Sequence, residues 1–384
     1  MGATSYINLT AGDTAPWFAQ RSGANPRFVF DTAAGRYLVL CFGTTASDPH
    51  SLAAIDAARS RPGFFDDSTA SFFFVSSDPQ DEAGGRVTES YPGYRVFWDF
   101  DGSVGTLYGA LPREAKPGAS GLQVRRIWVV LDPTMRIMKV IPFEPDRSDV
   151  AAFLGYIDSL PPPRAFAGFE LQAPILVLPN VFEPELCERL IGLYNAHGGT
   201  ESGFMREVDG KTVAVHDHAH KRRKDYDIDD QTLIKELQGR FNRRVVPQIL
   251  KAHQYKVTRM ERYIVCCYAA EDEAHFRAHR DNTTKGTAHR RFAVSVNLND
   301  DFDGGEVSFP EYGPRSFKAP PGGAVVFSCS LLHAVSRVTR GRRYAFLPFL
   351  YDDEAARIRE ANNAFLGEGV GNYRSGASNG SAQS

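Results

Sequence analysis

The stretch HFRAHRD at residues 275–281 sets His279 and Asp281 two positions apart, and a second histidine, His333, follows in SLLHAVSRVTRGRRYAF. On a strand, side chains two apart project from one face, so an imidazole and a carboxylate reach one point while Arg280 turns away. A histidine from another strand completes a set of two imidazoles and one carboxylate. Such a set occupies one side of a metal ion and leaves the opposite positions open, which suits non-haem Fe(II) working with O2 and a bidentate cosubstrate. Ten residues past His333 stands Arg343, whose guanidinium fork is shaped for a carboxylate. Its neighbour Arg342 faces the other side of the same strand, so alternation allows only one of the two as an anchor.

Other conspicuous residues read as less specific. His216, His218 and His220 recur at period two in HDHAHKRRKDYD. On a strand they form an imidazole row able to bind a metal, but a solvated strand or loop over the mouth of the site is the simpler expectation. The basic run Lys221, Arg222, Arg223 and Lys224 reads as a solvated lid, and His275 as a rim residue. Adjacent Cys266 and Cys267 point to opposite faces of a strand and are poor disulfide partners.

The elements that must position these residues follow from patterning. From residue 256 onward the chain reads as many short strands, including RRFAVSVNLND, GGAVVFSCSLLHAV and RRYAFLPFLYDD, separated by Gly and Pro. This is the pattern of a sandwich or barrel. PILVLPNVFEPELCERLIGLYNAHG precedes it as a strand and an amphipathic helix, with Asn180 or Glu183 as cap and Pro184 in the first turn. Three consecutive prolines at 161–163 end an earlier helical run and mark a linker over 161–171. Before that linker, strand-like RYLVLCFG and ASFFFVSSD flank a helix-like HSLAAIDAARS, and RRIWVVLDPTMRIMKVIPF reads as a hairpin, an α/β pattern. After residue 352 come a helix and a tail rich in Gly, Ser and Asn that reads as disordered.

The first 160 residues resemble the thioredoxin-like fold, in its peroxiredoxin branch, through GDTAPWF, FFFVSSD, FWDFDGSVGTLYGA and RRIWVVLDPTMRI, over residues 10 to 158. That chemistry needs a thiolate at the helix N-terminus after the first core strand. Here the stretch is CFGTTASDPHS, with Ser47, His50 and Ser51 where sulfur is wanted, and Arg126 without a nucleophile to assist. Cys41 lies inside an apolar strand and reads as an inert core residue. The domain is therefore expected to be redox-inactive, a structural or recruiting module with a protein partner of its own.

Residues 172–352 resemble the 2-oxoglutarate- and Fe(II)-dependent dioxygenases of the prolyl 4-hydroxylase-like group. The resemblance rests on VLPNVFEPELCERLI, YAAEDEAHFRAHRD, LNDDFDGGEVSFP and APPGGAVVFSCSLLHAVSRVTRGRRY. It implies a double-stranded β-helix (jelly roll) with flanking helices. It also implies iron ligands His279, Asp281 and His333, a 2-oxoglutarate anchor at Arg343 and, by position, a cosubstrate contact at Tyr268. The implied cofactors are Fe(II), 2-oxoglutarate and O2, with ascorbate as an accessory. The implied reaction is hydroxylation of a peptidyl or amino-acid-like substrate, with release of succinate and CO2.

Composition bounds these expectations. The chain has 384 residues, 42% of them hydrophobic and 23% charged, enough for two buried cores, and a net charge of −2 that does not point to nucleic acid or an anionic membrane. Five cysteines without a CxxC and no apolar run of membrane length point to a reducing cytoplasm. Two alternatives stand beside the dioxygenase: a thiol or peroxide oxidoreductase acting through Cys41, and a non-catalytic scaffold.

Overall fold

A computed structural model of the chain describes residues 5–115, 123–367 and 370–374. It divides into two compact units, Met1–Gln172 with Pro310–Pro314, and Ala173–Phe309 with Arg315–Ser384. The expected disordered tail falls largely outside the described residues.

The first unit is built on a five-stranded mixed sheet. Strand β1 (Tyr37–Thr44) lies between two neighbours, β2 (Ala70–Ser76) and β4 (Ile127–Leu131). Strand β3 (Tyr94–Trp98) pairs parallel with β2, which pairs parallel with β1, while β4 and β5 (Ile137–Pro142) form the antiparallel hairpin read from the sequence. This order is thioredoxin-like. β1 is apolar and buried on both faces: helices cover the face of Tyr37, Val39 and Cys41, and Phe18, Phe28 and Phe30 pack on Phe73 and Phe97 of the same sheet. Tyr37, Val39 and Cys41 share one core with Ala54, Ala58 and Trp128, and Phe153 of helix α2 (Ser148–Asp158) stacks on Trp128 at 3.9 Å. The proline segment is held on this unit, Tyr37 Oη donating to the Pro161 carbonyl at 2.8 Å.

Helix α1 (Pro49–Arg59) starts where the proline and the Asp48 cap dictate, the Asp48 carboxylate accepting from Ser51 N–H. This is the helix end at which a reactive thiolate would sit. It carries Asp48 instead, ion-paired with Arg126, and Ser51 Oγ donates to the Gly43 carbonyl at 2.6 Å. Arg126, read from the sequence as idle, is therefore engaged by a carboxylate. Cys41 is fully buried, and burial pushes its thiol well above the ordinary range.

The second unit is two antiparallel sheets with helices on one side, a jelly roll. In chain order the elements that frame the site are α3 (Pro184–His197), β6 (Lys221–Arg222), β7 (Lys224–Asp227), α4 (Gln231–Arg244), β8 (Ile264–Ala269), β9 (His275–His279), β10 (Phe292–Asn297), β11 (Val307–Ser308), β12 (Ser316–Phe317), β13 (Ala324–Ser328), β14 (His333–Val335), β15 (Arg342–Phe346), β16 (Phe349–Tyr351) and α5 (Asp353–Ala361). The larger sheet runs β16–β10–β15–β8–β7, with β13 also on β10; the smaller runs β6–β9–β14–β11–β12. Strand alternation sorts the larger sheet. Val265, Cys267, Tyr344 and Phe346 pack with Leu186, Leu190, Leu237 and Phe241 of α3 and α4, while Tyr268 and Arg343 point the other way. Glu183 stands at the α3 cap position without a side-chain capping bond; its carboxylate pairs with Arg240 and Arg244 of α4, which hold it down to about 2. Among the described residues no helix is long and apolar enough to cross a membrane.

All five cysteines are free and buried. A thiol-specific reagent should therefore find no reactive sulfur in the native protein and five after denaturation. Cys41→Ser should lower unfolding free energy by about 1–3 kcal/mol, the cost of burying a hydroxyl poorly partnered. It should leave peroxide consumption at the background of the wild type; a wild-type peroxidase activity lost in this variant would restore the thiol reading.

Candidate active site

A cavity lies between the two sheets of the second unit, lined from the smaller by Phe276, His279, Val307, His333 and Val335 and from the larger by Tyr268, Ala293, Ser295 and Arg343. β9 and β14 pair antiparallel, placing His279 directly opposite His333. The register between them slips: Phe276 opposes Val335, so three steps on β9 match two on β14. Such a bulge bends a strand and re-aims its side chains. Its effect here is that Phe276 and His279 both face the cavity, their rings stacked at 3.5 Å.

The strand ends at His279, two residues earlier than simple alternation through Asp281 expects. Asp281 lies in the following turn, its N–H bonded to the Cys329 carbonyl at 2.9 Å rather than in a ladder. The turn still delivers the carboxylate: Asp281 Oδ1 is 3.6 Å from His279 Nε2 and Oδ2 is 3.3 Å from His333 Nε2. One ligand atom from each of the three residues lies within 4.8 Å of the others, and no other such group occurs among the described residues.

Both imidazoles are oriented by the backbone. His279 Nδ1 is 2.7 Å from the Arg277 carbonyl and His333 Nδ1 is 3.0 Å from that of Leu331. A carbonyl only accepts, so each Nδ1 carries the proton and each Nε2 presents its lone pair to the cavity, the tautomer a metal needs. Burial, and then the neighbouring His333, pull His279 down to about 4, which keeps it neutral. Burial by itself would raise the Asp281 carboxyl, and the positive charge of Arg290 works against it.

The two adjacent arginines separate as strand alternation requires. Arg342 is exposed and pairs with Glu271, with Nε donating at 2.7 Å. Arg343 is 2% exposed and sits across from Tyr268 in the β8–β15 ladder, its guanidinium carbon 5.4 Å from that ring's centre. It donates to two neutral oxygens, Asn297 Oδ1 at 3.0 Å and Ser295 Oγ at 2.7 Å. No carboxylate pairs with it among the described residues. Tyr268 is likewise buried on the cavity wall, and its Oη accepts from Arg223 Nη1 at 3.4 Å.

One expectation needs correction. The basic run is not a solvated lid throughout, because Lys221 and Arg223 are only 4% and 6% exposed. Arg223 forms a bidentate pair with Asp225, both contacts 2.7 Å, and lines the cavity, while Lys221 Nζ donates to Ser202 Oγ at 2.7 Å. Their period-two spacing with Asp225 was the available signal, since one face of a strand collects alternate residues. Arg262, which also lines the cavity, carried no sequence signal. His216, His218 and His220 lie on a loop and turn, not a strand, and form no metal-ligand group; His220 packs on Phe276 at 5.5 Å, and His218 pairs with Glu201. His275 bonds backbone carbonyls and stays outside the cavity wall.

Comparison with known proteins agrees with this geometry. Residues 263–351 match the model of the 2OG-Fe(II) oxygenase superfamily. A PKHD-type hydroxylase of Gluconobacter oxydans is 41% identical over 80 residues, 18% of this chain and 35% of that protein. Another, from Paracoccus denitrificans, is 43% identical over 79 residues, with the same coverage. The chain thus spans about a third of the length of the curated relatives it matches. Among solved structures, a Trichoplax adhaerens prolyl hydroxylase, determined with a hypoxia inducible factor peptide fragment, matches with TM-score 0.36 and 16% identity over 48% of this chain and 86% of that one. A peroxidoxin of Mycobacterium tuberculosis matches with TM-score 0.33 and 20% identity over 40% of this chain and 99% of that one. Residues 263–351, the span that matches the 2OG-Fe(II) oxygenase superfamily model, hold Tyr268, His279, Asp281, His333 and Arg343.

Proposed function

We propose that this protein is an Fe(II)- and 2-oxoglutarate-dependent hydroxylase acting on a peptidyl or amino-acid-like substrate, with succinate and CO2 as coproducts and ascorbate as an accessory reductant. The observation that carries the reading is a guanidinium buried without a carboxylate partner, Arg343, on the same cavity wall as a His-Asp-His ligand cluster. A buried cation of this kind is costly unless an anion completes it.

The donor set fits a ferrous ion: two Nε2 lone pairs and one carboxylate converge, with the Nδ1 protons engaged elsewhere. His279, Asp281 and His333 would hold the metal, which when bound supplies O2 activation and oxidative decarboxylation of the keto acid. Arg343 binds the distal carboxylate of 2-oxoglutarate through its fork, steadied by Asn297 and Ser295, and Tyr268 adds a hydroxyl beside it. Phe276, Val307, Phe327 and Val335 line the same space with apolar surface and exclude water from it. The first unit, whose sulfur is buried, takes no part in this chemistry.

Asp281→Ala should remove the only anionic donor and abolish both keto-acid turnover and tight Fe(II) binding; unchanged Fe(II) affinity, followed by calorimetry under anaerobic conditions, would exclude this ligand set. The arginines give an independent check. Truncating one partner of a buried charge pair costs roughly 2–5 kcal/mol, and about 1.4 kcal/mol is tenfold in affinity. Arg343→Ala should therefore raise the 2-oxoglutarate KM by about two orders of magnitude or more, with Fe(II) binding intact. Arg342→Ala should stay near wild type, and the reverse ranking would refute the assignment of the anchor.

A further inference from the structure

The cavity carries more positive than negative charge. Arg223, Arg262 and Arg343 line it, and Asp281 is the one carboxylate on its wall. Asp225 stands behind Arg223 and accepts from its Nε and Nη2. Lys221 is not on this wall; its Nζ donates to Ser202 Oγ and to the Gly203 carbonyl. Three guanidiniums thus meet two carboxylates. Fe(II) and the 2-oxoglutarate dianion cancel, so loading both leaves one positive charge unmatched.

That surplus is concentrated on Arg262. Arg223 has its bidentate carboxylate, and Arg343 has Asn297, Ser295 and, in the reading above, the cosubstrate. Arg262 has one long contact, Nη2 to Asp225 Oδ2 at 3.4 Å, on an oxygen Arg223 already holds at 2.7 Å. Its only other contact among the described residues is the face of Phe349, 5.5 Å from the ring centre. It also has an unusual backbone, with φ of +62°, in the break between Arg259–Glu261 and β8. A non-glycine residue held left-handed persists where the surroundings enforce it, and Arg262 is one of nine such residues among those described. The break places a long cationic side chain on the cavity wall, where a strand in register would alternate.

We propose that Arg262 is the substrate-recognition residue of this cavity and that the substrate presents a carboxylate to it. This rests on the reading of the cavity as an Fe(II)/2-oxoglutarate site. A carboxylate accepting the free edge of Arg262, whose side chain is 30% exposed, neutralises the surplus charge and forms a charge-assisted pair that the matching neutral amide does not form. The group is either the α-carboxylate of an amino acid or the side-chain carboxylate of an aspartyl or glutamyl residue.

The test uses the full chain loaded with Mn(II) and 2-oxoglutarate, with Mn(II) standing in for the oxygen-sensitive ferrous ion. Three probe sets are titrated by calorimetry and thermal shift: N-acetyl-L-amino acids, their primary amides, and the α-amides of N-acetyl-aspartate and N-acetyl-glutamate. At least one acid should bind tenfold or more tightly than its paired amide, and the set it comes from identifies the carboxylate. Arg262→Gln should erase that preference and Arg262→Lys should retain part of it, while both variants bind Mn(II) and 2-oxoglutarate like the wild type. Equal binding of acids and amides, no binding by any acid, or a preference that survives Arg262→Gln overturns the proposal. So does a loss of 2-oxoglutarate affinity in Arg262→Gln, since Arg262 would then serve the cosubstrate. If the wild type binds neither Mn(II) nor 2-oxoglutarate, the underlying reading fails before any probe is added, and this inference with it.

Discussion

Two short strands far apart in sequence, His275–His279 and His333–Val335, pair antiparallel with one extra residue on the first, and the site hangs on that bulge. It puts His279 opposite His333 and turns Phe276 to the same side, so an aromatic ring backs the first imidazole. Each imidazole then bonds through Nδ1 to the carbonyl two residues earlier in its own chain segment, so the same local backbone geometry sets both tautomers. Because those carbonyls belong to the chain that positions the rings, ring orientation and proton location are decided together. The carboxylate arrives from the turn beyond the strand, fixed by a backbone bond to Cys329.

Electrostatics shape the rest of the cavity. An arginine buried to 2% exposure with neutral hydrogen-bond partners is a state a protein core does not favour for its own sake, because desolvation of the charge is only partly repaid. The neighbouring Arg223 shows the contrasting solution, a carboxylate supplied in cis two residues along the chain. One cation is thereby completed by a carboxylate within the fold, and the other has neutral oxygens as its partners among the described residues. The surrounding apolar residues lower the local dielectric and strengthen whichever pairing is made.

The first unit has the sheet order associated with thiol chemistry and lacks its central atom. Where a thiolate would gain from the positive end of α1, Asp48 supplies a fixed negative charge and Arg126 neutralises it. Cys41, the only nearby sulfur, is locked in the middle of β1 with its thiol pushed up by burial. The unit's core is rich in aromatic stacking, with Trp128 on Phe153.

Much of the fold and most of the site were legible in the sequence, because the chain's periodicities are local properties. Apolar runs of strand length and proline at the first turn of α1 and α3 act within a few residues and appear in the structure as the expected elements, whereas of His279 and Asp281 only the first lies on its strand. Alternation likewise separated Arg342 from Arg343, since neighbours on a strand cannot face one way. The bulge in β9, the burial of Lys221 and Arg223, and the left-handed break that puts Arg262 on the cavity wall were decided only in three dimensions. Each depends on which strand lies alongside and where its carbonyls fall. A run of lysine and arginine is polar by composition wherever it occurs, and only a carboxylate or carbonyl brought to it by tertiary pairing turns it from a solvated surface into the wall of a site.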